Sequence, residues 1–438
     1  MNKHFRNYVI FWASQSVSQL GSSMTAFALI LWQYMQTRSA MAVALMSFCN
    51  YTSYVLLSTV SGSIVDRHDK KTVILLSDSA AAAATLLIFL LTRTGSLYTW
   101  HVCAANAWIG AAAAFQSPAS SVVIGKLVPD EKLANAGGMA SFSQNLVLVL
   151  APILASALFG FGSLSAVVLL DLCSYGISCL VLLCFVHIPS DDRIESEQPR
   201  LFAGFSEGLT FLKTHRGLLI LVLMMAYMNF LSRITYENTL SPMILARSGG
   251  NTAALGLVNA VLGAAGIAGG LLASAGLFSK EPVRMVFWSA GFSFLFGDIL
   301  MGLGRNVFAW CLAGAFASLP IAFVMAGQNV ILYRTIPEEM QGRVFAVRNA
   351  IQYGTIPAGI LLGGALADYV FEPFMAGSSA AAQLLQQLVG RGTGSGMAVM
   401  FLCTGTAGAC FSFLAYRQKS IQAMRRSLIE PDPQQIHS

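Results

Sequence analysis

The chain is broken into apolar runs of about 20 residues or more, the length a helix needs to cross ~30 Å of hydrocarbon. Inside lipid each backbone N–H and C=O must find its partner within the spanning element, so runs of this kind are helices. A membrane barrel would instead show alternating segments of ~10 residues, and the sequence has none. Charge is correspondingly scarce: 11% of residues are charged, against ~25% in a soluble domain, and the mean hydropathy is +0.65. These features predict an all-α membrane protein.

Apolar length and polar or Gly/Pro breaks place spans near 8–34, 41–65, 72–92, 99–124, 139–161 and 164–187, then 217–245, 252–276, 285–303, 308–333, 346–371 and 396–416. Twelve spans put both termini on one side. Of the 26 Lys and Arg residues, twenty fall on the face that carries the termini, five on the other, and Arg233 within a span. The excess of basic residues assigns the first face to the cytoplasm. The net charge of +6 therefore follows from topology, and no nucleic-acid partner is needed to explain it. The expected localisation is the bacterial cytoplasmic (inner) membrane, multi-pass, with both termini inside. The basic start "MNKHFRNYVIFW" runs on past Leu31, too long for the h-region of a signal peptide, and reads as an uncleaved first span. All eight cysteines lie in apolar runs without CxxC spacing, so neither a metal site nor a disulfide framework is expected.

The expected organisation is a six-helix bundle over 1–187, a cytoplasmic linker over 188–216, a second six-helix bundle over 217–417, and a cytoplasmic tail over 418–438. In the linker, Phe202, Phe205, Leu209 and Leu212 share one helical face, as in a helix lying in the membrane interface. The halves repeat one another. "VPDEKLAN" (Val128 to Asn135) returns as "IPEEMQGR" (Ile336 to Arg343), and "SAMAVALMS" (Ser39 to Ser47) as "TAALGLVNA" (Thr252 to Ala260). Parallel six-span halves are the architecture in which a substrate site lies between the halves near mid-membrane.

Between spans two and three stands "GSIVDRHDKK" (Gly62 to Lys71). Gly62 lets its span approach a neighbour closely, Asp66 can accept hydrogen bonds or pair with cations, and Arg67, Lys70 and Lys71 hold the turn on the cytoplasmic side. The stretch resembles the major facilitator superfamily signature G-x-x-x-D-R-x-G-R-[RK], with Asp69 in place of the second glycine, a departure that bears on the tightness of the turn. "DRHDKK", "VPDEKL" and "GRVFAVRNA" are similar to the macrolide-efflux and siderophore-exporter branch. The resemblance implies the major facilitator fold, twelve transmembrane helices in two pseudo-symmetric six-helix bundles. It also implies that Gly62, Asp66, Arg67, Lys70 and Lys71 form a latch on the cytoplasmic side. The equivalent stretch of the second half keeps Gly270 but has Ser274 where the first half has Asp66, so the second latch is degenerate.

An ionisable group at bilayer depth costs roughly 2.5–3.5 kcal/mol on insertion scales and is a functional candidate. In "SRITYEN", Arg233 and Glu237 stand at i and i+4 on one face. Glu237 is a candidate to bind and release a proton with Arg233 answering its charge; the competing reading is a static ion pair. Asp78, Asp171 and Asp298 lie in spans three, six and nine, which the resemblance makes peripheral, and are expected to bond to neighbouring helices. Asp171 is the best of them for coupling. The candidate cavity residues are the amides and aromatics Trp12, Gln15, Gln19, Asn106, Gln116, Asn145, Tyr236, Gln328, Asn329, Gln352 and Tyr353, a set suited to a large amphipathic ligand, although each also suits interhelical bonding. Span five keeps Pro152 but lacks the glycines around it that mark the superfamily's antiporters, so export rests on the branch resemblance.

No P-loop and no Ser/His/Asp or metal constellation is present, so the chain is read as a non-enzyme without cofactor, energised by the proton motive force. The expected function is secondary export of an amphipathic drug or natural product, macrolide- or siderophore-like, as a proton antiporter. Proton-coupled import of a small solute is the alternative. The expected partners are membrane lipids, the small-molecule substrate and the proton, and a monomer suffices for this architecture.

Overall fold

A computed structural model describes residues 3–129, 132–161, 163–186, 201–275 and 281–429. Among the described residues every regular element is helical. The first seven helices are α1 (Lys3–Thr37), α2 (Ala40–Arg67), α3 (Lys70–Arg93), α4 (Thr99–Leu127), α5 (Leu133–Phe161), α6 (Leu164–Cys184) and α7 (Leu201–Thr214). They are followed by α8 (Arg216–Arg247), α9 (Thr252–Ser274), α10 (Pro282–Leu303) and α11 (Val307–Thr335). Next, α12 begins as Glu338–Leu366 and continues through Ala367–Phe371 to Glu372–Ala376. Last come α13 (Ala380–Val389), α14 (Ser395–Tyr416) and α15 (Lys419–Ile429).

Eleven of these helices are long and apolar enough to cross a membrane. The twelfth long helix is α1, 35 residues, whose Gln, Ser and Asn content keeps it below that hydropathy. The chain is a multi-pass membrane protein.

The contacts divide the chain into two compact units. One is Met1–Ser196 with Gly249–Ala260, and the other is Glu197–Ser248 with Val261–Ser438. The start of α9 thus groups with the first six helices, which the sequence boundary near 217 does not show. Gly256 is the reason, for a Cβ there would overlap Ser156 and press on the Pro152 carbonyl of α5.

Within the first unit α2 packs most extensively on α4. Gly110 permits this, because a Cβ would run into the Asn50 carbonyl, and Asn50 Nδ2 donates to the Asn106 carbonyl at 3.1 Å. Tyr8, Phe11, Val65, Ile74, Leu127 and Leu182 pack into one buried apolar cluster of the unit, with the Tyr8 hydroxyl donating to the Ala136 carbonyl at 3.1 Å.

The repeats read from sequence have matched local geometry. Val128 ends α4 at φ −101°, ψ 117°, and Ile336 ends α11 at φ −103°, ψ 121°, each followed by a proline. Ser39 caps α2 through the Ala42 N–H, and Asn251, one position earlier in the repeat, caps α9 through the Ala254 N–H. Pro118 and Pro152 interrupt α4 and α5, as Pro320 and Pro357 interrupt α11 and α12.

The linker helix lies within the second unit. Of the predicted linker, 188–200 lies outside the described residues; α7 then packs on α12. Leu212 is fully buried, Gly208 faces the Arg343 carbonyl, and Glu207 pairs with Arg343. The region expected as a tail contains α15, with Ile421 and Met424 buried and Arg425 bonded to Glu281 at 2.8 Å; 430–438 lies outside the described residues.

Candidate functional site

The signature loop forms its turn without the second glycine. Asp69 is extended at φ −60°, ψ 123° and caps α3, accepting from the Thr72 N–H at 2.9 Å and the Thr72 hydroxyl at 2.8 Å. The substitution that bears on the turn therefore supplies an N-cap. Lys70 is buried and its ammonium donates to the His68 carbonyl at 3.0 Å. Lys71 donates to the Leu183 and Val186 carbonyls at 3.2 and 2.9 Å, satisfying the C-terminal end of α6, where a cation is favoured. Arg67 is exposed at the end of α2. The side chains of Gly62 and Asp66 lie outside the described set; their backbone is helical. At the corresponding place in α9 a Cβ on Gly270 would meet open space. The close approach occurs one residue earlier, at Gly269, where a Cβ would overlap the Leu319 carbonyl of α11.

In the second unit three spans widen locally into π turns, at Arg233–Glu237 in α8, Ser293–Asp298 in α10 and Ala367–Phe371 in α12. Such turns are frequent at functional sites. The α8 turn leaves backbone carbonyls to be satisfied, and the Thr239 hydroxyl lies 2.8 Å from both the Ile234 and Thr235 carbonyls. Arg233 Nη1 pairs with Glu237 Oε2 at 2.6 Å, with both side chains about a quarter to a third exposed. Arg233 Nε also reaches Asn229 Oδ1 at 3.4 Å, and Asn229 donates to the Gln352 carbonyl at 3.1 Å.

Tyr236 turns from this pair toward Asp298. Its hydroxyl donates to Asp298 Oδ1 at 3.0 Å, and Thr404 of α14 donates to Asp298 Oδ2 at 3.1 Å. Asp298 is 1% exposed. The sequence expects Asp298 to bond to neighbouring helices, as it does; that Tyr236 is the donor is not readable from spacing, because 62 residues separate them.

The polar side chains of α1 reach several neighbouring helices. Trp12 donates to the Met139 carbonyl of α5 at 3.0 Å. Gln15 donates to Asp78 of α3 and Ser178 of α6, each at 3.3 Å, and accepts from Gln116 of α4 at 3.4 Å. Ser22 donates to Asp171 of α6 at 3.0 Å. Most of these side chains are thus spent on four neighbouring helices, while Gln19 and Ser22 are exposed. Asn106 is buried and donates to the Val102 carbonyl, whereas Asn145 is half-buried. In the second unit Gln328 is buried, Asn329 and Tyr353 are exposed, and the buried Nε2 atoms of Gln328 and Gln352 have no hydrogen-bond partner. Those two amides have donors to spare for a ligand.

One arrangement has no counterpart in the sequence reading. Arg247 donates to the Gly302 carbonyl at 3.3 Å and to the Val389 carbonyl, while Arg305 donates to Gln387 and Leu388 at 2.7 and 3.0 Å. Two arginines thereby satisfy the C-terminal carbonyls of α13. Beside them Glu372 accepts from the Gly394 and Met397 N–H groups at 3.1 and 3.0 Å, fixing the start of α14.

Residues 11–359 match the Major Facilitator Superfamily. The chain belongs to that superfamily. The transporter is 26% identical over 371 residues to "Macrolide efflux protein A" of Streptococcus pyogenes, a match covering 82% of this chain and 89% of the relative. It is 27% identical over 334 residues to the protein of the same name from Enterococcus faecalis, covering 74% and 99%. Its fold is similar to a bacterial homologue of the human lysosomal transporter Spinster in an inward-facing, unoccupied conformation, with a TM-score of 0.72 at 15% identity over 97% of this chain and 99% of the other. The nucleoside transporter NupG is similar at a TM-score of 0.68 and 11% identity, over 97% and 99%.

Proposed function

We propose that this transporter exports amphipathic small molecules, macrolide- or siderophore-like, from the cytoplasm by alternating access, with proton entry as the driving force. The observation that carries export is the similarity to two macrolide efflux proteins, across 82% and 74% of the chain. Antibiotic resistance is the phenotype this reading expects of a cell that carries it. Support for proton coupling is the acid Glu237 held against Arg233 in a π turn, with Asp171 as the second candidate. No cofactor enters the cycle. The working unit is a monomer in the bacterial inner membrane, its termini and the Gly62–Lys71 loop cytoplasmic, the loop acting with Gly62 and Asp66 as an inner latch.

Everted membrane vesicles test the reading. With an imposed proton gradient, erythromycin or a siderophore should accumulate inside everted vesicles containing the protein and not in vesicles lacking it. Uptake confined to right-side-out vesicles would instead assign import.

A further inference from the structure

The first unit holds a partly open cavity of ≈ 110 Å³ whose lining includes Asp78 of α3 and Asp171 of α6. Ser22 and Thr25 of α1, Asn50 of α2 and Asn106 of α4 border it too. The volume equals that of roughly three or four waters in the liquid, room for an ion with little hydration.

Donor and acceptor accounting shows what would sit there. Asn50 spends its N–H₂ on the Asn106 carbonyl and Asn106 on the Val102 carbonyl, so each amide keeps its oxygen as the uncommitted atom. Ser22 gives its proton to Asp171 Oδ1, which leaves that hydroxyl as an acceptor. Asp78 receives one donor from Gln15. Among the described residues, neither carboxyl has an ion pair with a lysine or arginine. Of the other lining hydroxyls, Thr85 is spent on the Ala81 carbonyl and Tyr175 pairs with Ser79, whereas Thr25 Oγ1, in a residue 3% exposed and beside Asp171, accepts no hydrogen bond. The lining is rich in oxygen acceptors and poor in donors, and it contains no nitrogen or sulfur ligand of the kind that softer metals select.

We propose that this cavity binds a hard cation through oxygen ligands from Asp78, Asp171, Thr25, Asn50 and Asn106. An alkali ion with one retained carboxyl proton, or one alkaline-earth ion, would neutralise the two acids and tie together five helices of the unit. Buried carboxyls surrounded by acceptors are stabilised by a cation, and the open Thr25 oxygen acquires a partner. This inference does not depend on the direction of transport or on Glu237.

Radiolabelled sodium and, separately, radiolabelled calcium, titrated onto the purified full-length protein in detergent at alkaline pH with choline chloride holding ionic strength, form the two arms of the test. Saturable binding in one arm, weakened about tenfold or more by Asp171→Asn and by Thr25→Val, is the expected result and identifies the ion's charge. Thr25→Val keeps the side-chain shape and removes only the oxygen, so it reads the site even where Asp171→Asn fails to fold. No saturable binding in either arm, or binding untouched by Thr25→Val, overturns the proposal. Proton-driven export of macrolides could persist through that failure, so the two readings fall separately.

Discussion

The Tyr236 hydroxyl donates to Asp298 Oδ1 at 3.0 Å and joins the π turn of α8 to the π turn of α10. Thr404 holds the other carboxyl oxygen, so three helices meet on one acid that is almost completely buried. Each partner is a neutral hydroxyl, which makes the cluster a packing device for the helix that also carries Arg233 and Glu237.

Tyr236→Phe removes one donor and leaves the ring. The expected loss of stability is about 0.6–1.7 kcal/mol, the range for side-chain hydrogen bonds in membrane bundles. Asp298→Leu should be worse, because it strands both hydroxyls without an acceptor. Unfolding curves of the detergent-solubilised variants check the order. A Tyr236→Phe protein as labile as Asp298→Leu would contradict it.

Lys71 is read from sequence as part of a latch, and it also closes the end of α6. Lys71→Met should cost about 0.3–1 kcal/mol of local stability. The effect should appear as faster amide hydrogen exchange at the C-terminal end of α6, whereas Arg67→Met should leave exchange there unchanged. Faster exchange in both variants would mean that the loop acts as a unit and that Lys71 has no separate role.

Glycine positions in α9 separate close packing from mere sequence correspondence. Gly269→Val forces a side chain into the Leu319 backbone, and Gly270→Val enters open space. Folded yield in membranes should collapse for the first and stay near wild type for the second. Equal yields would show that the α9–α11 contact is not tight.

Much of this architecture was legible in the sequence because the bilayer dictates it. Spans follow from apolar length, and the loops after α4 and α11 were recognisable as repeats, with nearly the same backbone angles at Val128 and Ile336, the residues that open them. What could not be read depends on partners distant in sequence. α13 is a ten-residue helix whose terminal carbonyls are satisfied by Arg247, 142 residues from Val389, and by Arg305. α15 follows a polar pattern typical of a tail, and only Glu281 and the surface over Gly217 reveal that it docks. Trp12 and Gln15 of α1 stood out as polar-tipped residues in an apolar span, but their commitment to α3, α4, α5 and α6 was not visible, since residue type does not name the neighbour that a side chain meets.

The Arg233–Glu237 pair invites a test that separates packing from proton transfer. Breaking a buried pair from one side costs about 3–5 kcal/mol, because the remaining charge is uncompensated; here each side chain is about a quarter to a third exposed, so the loss should fall below that range. Arg233→Gln and Glu237→Gln should therefore each lower folded yield, and the double variant, with no charge left over, should recover most of it. If the pair serves only to position α8, the double variant will also recover transport across a pH gradient. If Glu237 carries the proton, folding returns while pH-driven accumulation in everted vesicles stays at background and substrate binding persists. The second outcome is the one expected, since an amide can replace the carboxylate as a packing group but cannot load and release a proton.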